Sequence, residues 1–310
     1  MSKFNPFDYF FLLRPLILIP SWNFLLIGCY LAQKKSSLSI DIIIGLIIYT
    51  CLMGGVYILN QITDIETDRA NKKLFILSEG HVPVKHAYIE MVILWIAAAL
   101  LSLKFSSIFL VFIGISLVLG ILYSLPPIKL KGKPLLDTLA NSFGYGMINF
   151  AVGWLIVASF DITMFTKFVP YFLSIGAVFI NTTVVDIEGD RKAKEITTAV
   201  LLGEQAALVC STVLISGAII IAYLMRDLVC LIPAALSFPF FIYCAVYALL
   251  KNKQNRKLTI LSFRLPGFLF TLATIYLYPI YAVFLLIIFL AMRFYYKKRF
   301  RMDYPTFAQG

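Results

Sequence analysis

Hydrophobic positions fall in long, nearly unbroken runs rather than in the stripes of an amphipathic helix or an alternating strand. The runs cover residues 15–33, 39–60, 87–104, 106–125, 135–158, 166–185, 205–224 and 227–250. Each is close to the roughly 17–25 residues that a helix needs to cross a bilayer. A last stretch, 258–296, would extend about 58 Å as one helix, twice the hydrocarbon thickness. Pro266 and Pro279 interrupt it, and two helices, about 258–277 and 280–296, fit better. The pattern predicts an all-α, polytopic transmembrane helical bundle of ten crossings. With no Gly/Ser linker or low-complexity tract, residues 1–310 read as one integral membrane domain. The first run follows Arg14-Pro15 without a short h-region and small-residue cleavage site, so it reads as a retained first helix.

Composition supports this reading. Of the 310 residues, 61% are hydrophobic and 14% are charged, with mean hydropathy +0.89. So few charges cannot cover the surface of a soluble domain, which carries about 25%. A soluble enzyme, a disordered chain and a disulfide scaffold are excluded. The net charge of +11 points to a membrane surface and not to nucleic acid, because basic loops follow from topology. With the N-terminus cytoplasmic and ten crossings, 20 of the 27 Lys and Arg lie inside and five outside. The bias favours that orientation and an even span count, and predicts a multi-pass protein of the cell inner membrane. The five Cys sit in or beside apolar runs without a CxxC pair, as buried apolar side chains do.

The acids change the picture. Nine of the 16 crowd into two places, at the cytoplasmic ends of the second and sixth runs. The two copies nearly repeat: Asp64-Ile-Glu-Thr-Asp68-Arg69 and Asp186-Ile-Glu-Gly-Asp190-Arg191. Lys72 and Lys73 follow the first, and Lys192 and Lys194 the second. Four helices separate the copies, which suggests an internal duplication. Asp64 and Asp68 are i and i+4, on one helical face, with Asn60 a turn earlier; Asp186 and Asp190 form the matching pair. Paired carboxylates repel unless a cation lies between them. Two such pairs facing each other would hold hard divalent ions, with Mg²⁺ taking phosphate oxygens as well. The neighbouring Lys and Arg would then face the phosphate.

These segments resemble the UbiA superfamily of intramembrane prenyltransferases. Asn60, Asp64 and Asp68 match its N/D-x-x-x-D-x-x-x-D segment, and Asp186, Gly189, Asp190 and Arg191 its D-x-x-G-D-R segment. Thr197 with Leu202-Gly203, Tyr123-Ser124-Leu125-Pro126-Pro127 backed by Lys129 and Lys131, and Arg14-Pro15 resemble three further segments. The resemblance spans about residues 10–280. It implies a nine-helix prenyltransferase core around a central cavity, with helix 280–296 as an addition. It further implies Mg²⁺-dependent transfer of an isoprenoid chain from an allylic prenyl diphosphate to a lipophilic or aromatic acceptor. Asn60, Asp64, Asp68, Asp186 and Asp190 would carry the metal. Lys72, Lys73, Lys129, Lys131, Arg191 and Lys194 would grip the diphosphate, Tyr123 would lie near the allylic carbon, and Arg14 is a candidate for the acceptor or head group. One segment departs: where many members have N-R-P-x-R-P-x-P-S-G, residues 71–80 keep the spacing but lack the prolines, and Phe75 replaces the second Arg.

Other features carry less. His81 and His86, five apart without Cys, read as solvated or helix-start residues. Asp137 and Asn141 read as capping and interhelical groups, with contact to the acceptor as the alternative. Tyr57, a turn before Asn60, is a second aromatic candidate. The competing functions are a cation-coupled transporter using the paired carboxylates and a lipid phosphotransferase with the same metal logic.

Overall fold

The computed structural model describes residues 5–70, 75–193 and 195–304. In chain order the helices are α1 (Pro6–Leu12), α2 (Pro15–Gln33), α3 (Ile40–Thr63), α4 (Ile65–Ala70), α5 (Phe75–Ser78), α6 (Val84–Ser102) and α7 (Ser107–Ser124). Then come α8 (Leu136–Asn141), α9 (Asn149–Val157), α10 (Thr163–Lys167), α11 (Val169–Lys192), α12 (Thr198–Leu224), α13 (Leu228–Lys251), α14 (Arg256–Leu277) and α15 (Ile280–Phe300). Polar residues start many of them. Ser39, Ser106, Asp227 and Asn255 accept the first free N–H groups of α3, α7, α13 and α14, donors that hydrocarbon would leave unserved.

Among the described residues, nine helices are long and apolar enough to cross a membrane. The remaining run, 135–158, folds as α8 and α9 joined through a π-helical stretch, Ser142–Ile148. Together they make about 33 Å of helix, long enough for one more crossing. An ion pair supports the even count. Asp8, before the first crossing, meets Arg299, at the end of the last, at 2.9 Å. Both ends of the helical chain therefore share one face.

The central crossings are α2, α3 and α11, with 67%, 61% and 56% of their apolar windows buried, against 17% for α6 and 22% for α15. Glycine lets the central helices touch. A Cβ on Gly153 would stand 1.9 Å from the Leu25 carbonyl oxygen, and one on Gly28 would stand 2.1 Å from that of Phe150. α2 and α9 thus pack backbone to backbone, as small residues allow in membranes.

The last helix, α15, returns to the N-terminal side. Phe284 meets Trp22 edge-on at 5.1 Å, Tyr281 donates to Asn23 Oδ1 at 3.0 Å, and Tyr295 stacks on Phe11 at 4.0 Å. Asp8 is 1% exposed and accepts from Tyr295 Oη at 2.5 Å and from Arg299 Nε and Nη2 at 3.2 and 2.9 Å. The Asp8→Ala variant leaves Arg299 without its carboxylate. A loss of about 3–5 kcal/mol is expected for breaking a buried pair. It should show as a lower unfolding temperature in detergent and as proteolytic release of the α15 end.

Candidate active site

α3 stops just before the first acidic segment. The Thr63 hydroxyl donates to the Asn60 carbonyl at 2.8 Å, and Asp64 leaves helical geometry at φ −109°, ψ 10°. Such side-chain bonds to the backbone compete with the helix. The Asp68 N–H donates to the Asp64 carbonyl at 2.7 Å, so the i, i+4 relation survives across a break in place of a continuous helix. The second copy stays on one helix, because α11 runs on through Asp186 and Asp190 to Lys192. Asp186 is exposed. Asp190 accepts from Thr197 Oγ1 at 2.9 Å and feels the charges of Asp186, Glu195 and Asp137.

One turn spans the two segments. After α7 the chain makes a short 3-10 turn, Leu130–Gly132. Lys131 forms an ion pair with the Asp64 carboxylate, and Lys129 reaches Glu195 at 2.6 Å. Glu195 in turn donates its N–H to the Asp190 carbonyl at 2.9 Å. Gly132 lies against Glu195 too, since a Cβ there would stand 3.5 Å from Glu195 Cγ. Both acidic segments therefore lie at the same end of the bundle, within reach of two lysines two residues apart. That end also holds His81, whose Nδ1 lies 3.4 Å from Arg299 Nη2. Burial, and then the Arg299 charge, hold its imidazole below the usual range.

The donor types suit Mg²⁺. They are carboxylates plus the Asn60 amide, whose N–H donates to Ser124 Oγ at 3.3 Å and leaves the amide oxygen for another partner. Lys131 already places a cation on Asp64. Among the described residues no group of three His, Cys, Asp or Glu could hold a metal alone.

Beneath the acidic rim lies a cavity of about 230 Å³. Arg14, Asn60, Tyr123 and Asn141 line it near the rim, Tyr57 and Tyr145 further in, and Tyr49, Ser116 and Asn149 farthest along α3, α7 and α9. Asn141 donates to Tyr123 Oη at 3.2 Å, and the Tyr57 and Tyr145 hydroxyls meet at 2.7 Å.

The model of the UbiA prenyltransferase family matches residues 21–265, most of the chain. The protein belongs to this family. It is 28% identical over 194 residues to a homogentisate phytyltransferase from Synechocystis, a match covering 59% of this chain and 62% of that protein. It is 24% identical over 221 residues to the digeranylgeranylglyceryl phosphate synthase of Sulfurisphaera tokodaii, covering 70% and 77%. In fold it is similar to a UbiA homolog from Archaeoglobus fulgidus bound to GPP and Mg²⁺. The TM-score is 0.67 at 22% identity, over 87% of this chain and 99% of that one. It is an integral, multi-pass membrane protein.

The structure gathers Asn60, Tyr123 and Arg14 at the cavity and puts Lys129 and Lys131 on the acidic segments. Asp68 sits one turn beyond Asp64, half-buried. Arg191 does not line the cavity. Arg191 lines a separate depression with Leu202, Gly203 and Glu204, on the α12 side of α11. Lys72, Lys73 and Lys194 lie outside the described residues. Neither His lines the cavity; His86 bonds Tyr9 Oη at 2.8 Å.

Asp137 is fully buried and accepts from the Thr198 N–H at 2.8 Å, from the Thr198 hydroxyl and from the Thr138 N–H at 2.6 Å. It clasps α8 to α12, an interhelical role. Sequence reasoning missed Tyr49, Ser116, Tyr145 and Asn149. The one signal was a polar Asn149 within an apolar run, which is functional more often than chance. An Asp137→Ala variant orphans the Thr198 donors. It should cost about 1–3 kcal/mol, read as a lower unfolding temperature of the purified protein.

Proposed function

We propose that this protein is a Mg²⁺-dependent prenyltransferase that moves an isoprenoid chain from an allylic diphosphate to an acceptor and releases diphosphate. The observation that carries the reading is the single turn whose Lys131 and Lys129 pair with Asp64 and Glu195, joining the two acidic segments over an aromatic-lined cavity. The charge bias of the loops supports a cytoplasmic N-terminus, and with it an active site on the cytoplasmic side. Acids at helix ends beside lysines argue against the transporter alternative, which needs carboxylates near the midplane.

Asp64, Asp68, Asp186, Asp190 and Asn60 would hold the metal. Mg²⁺, when bound, would neutralise the diphosphate oxygens as a Lewis acid and fix their orientation. Lys131 and Lys129 exchange their carboxylate partners for phosphate oxygens, and Lys72, Lys73 and Lys194 add charge from the adjoining segments. Arg191, exposed beside Asp190, would add its charge from the second segment. The C1–O bond of the donor breaks and its electron pair leaves with the diphosphate. The acceptor nucleophile then bonds to C1 and gives up its proton to water at the rim. The faces of Tyr123, Tyr57 and Tyr145 stabilise the developing allylic cation, and the apolar walls keep water from quenching it. Arg14, at the same cavity, is placed to meet an anionic or oxygenated head group.

Purified protein with Mg²⁺ and a geranyl or longer allylic diphosphate, offered a panel of acceptors, should release diphosphate and form prenylated product. Asp64→Asn and Asp186→Asn should each lower the rate by about 10²-fold or more, as loss of one transition-state contact does. Full activity in both variants would refute the assignment.

A further inference from the structure

The last crossing leaves a groove where it meets the start of the chain. α1 and α15 enclose about 410 Å³ between them. Phe7 and Phe11 form one wall, and Ala291, Phe294 and Tyr295 the other. Asn5, Lys298 and Arg299 supply its polar side chains. Arg299 is committed to Asp8 and His81. Asn5 accepts the Phe7 N–H with its side-chain oxygen at 3.1 Å, which leaves its amide N–H groups to another acceptor. Lys298 is exposed, with Nζ 5.5 Å from the centre of the Phe294 ring. It pairs with no carboxylate among the described residues, whereas Lys104, also over a ring, pairs with Asp41 at 2.5 Å.

Depth narrows the choice of occupant. α15 has 21 residues, about 32 Å of helix, so its last turn, with Lys298, reaches headgroup level. Ala291 lies seven residues earlier, about 10 Å deeper. The groove therefore runs from the headgroups into the hydrocarbon. Beside it, Ile287, Leu290 and Phe294 share one face of α15 and are 60%, 55% and 68% exposed. That face meets lipid tails, and on the other wall Phe7 is 63% exposed. The sign of the charge narrows the choice again. Lys297, Lys298 and Arg301 are all exposed, Asp8 balances Arg299, and Asp303 is the one acid in residues 280–304.

We infer that this groove binds one anionic glycerophospholipid, its phosphate on Lys298 and the Asn5 amide, and an acyl chain running past Phe11 and Ala291 onto the outer face of α15. The site is independent of the prenyltransferase reading. A phosphate takes a point charge and N–H donors together, and these are what Lys298 and Asn5 offer at one end of an apolar track. A zwitterionic head brings a cation of its own, which Lys298 repels. Arg299 lines the same groove and holds both Asp8 and His81. The lipid thus packs on the contact that ties α15 to α1 and to the loop after the first acidic segment, and it stabilises that corner by mass action.

The test uses the full chain purified in detergent. Native mass spectrometry, titrating dioleoyl phosphatidylglycerol and dioleoyl phosphatidylcholine in turn, should show the first binding about fivefold tighter, the size of one lysine's attraction to an anionic lipid surface. Lys298→Gln should remove that preference. Ala291→Trp, which fills the groove and keeps its charges, should weaken phosphatidylglycerol binding about fivefold as well. Both side chains are exposed, so both variants keep the fold. Lys253→Gln, at an exposed lysine between α13 and α14, should change nothing. Saturating phosphatidylglycerol should raise the unfolding temperature of the wild type and leave that of Lys298→Gln unmoved. Equal binding of the two lipids by the wild type overturns the inference, as does an equal loss in Lys253→Gln, which would reduce the site to diffuse surface charge. Glycerol phosphate probes the head alone: a rise in unfolding temperature as large as the whole lipid gives would assign the groove to a free phosphate ester and overturn the lipid.

Discussion

Negative charges cannot be gathered at the end of a helical bundle unless cations lie among them. Here the turn after α7 supplies two, Lys131 on Asp64 and Lys129 on Glu195. The rest of the site depends on where that turn is held. Thr198 anchors it, accepting the Leu135 N–H at 2.8 Å and giving its own donors to the buried Asp137. Asp137 is thus remote from chemistry in kind but not in place, since it fixes the segment that joins one acidic cluster to the other.

Below this rim the fifth crossing departs from regular helix. The π stretch, Ser142–Ile148, brings Asn141 and Tyr145 to the wall between two cavities, and such stretches mark functional places in helices. Gly146 lies within it, and a Cβ there would stand 2.6 Å from Phe172 Cα, so α11 can press against the widened turn. Asn141 and Tyr145 thus line both cavities, the one beneath the rim and one between α2, α11 and α14.

The last helix, α15, adds a constraint of its own. By returning to α1 it buries Asp8 under Tyr295 and Arg299, and Arg299 also meets His81, thirteen residues beyond Asp68. The C-terminal end therefore braces the loop that follows the first acidic segment. A lone acid near the start of the chain gave no sign of this, because its partner lies 291 residues away.

What the amino-acid order determined by itself was whatever is local or set by the solvent. Runs near twenty residues dictate crossings, because hydrocarbon tolerates only backbone bonded within the segment. Charge bias favours an even number, and the repeated Asp64–Asp68 and Asp186–Asp190 spacing points to candidate metal ligands. Even the fifth run, 135–158, was legible as helix, though not its π geometry. Tertiary structure alone decided which side chains share a wall. Tyr49, Ser116 and Asn149 come from three helices up to a hundred residues apart, and Arg191 lines a depression with Leu202, Gly203 and Glu204 of α12. Uniformly apolar helices carry little periodic signal for which face turns inward, so the packing of neighbours, through contacts such as Gly28 on Phe150, sets the rotation of each.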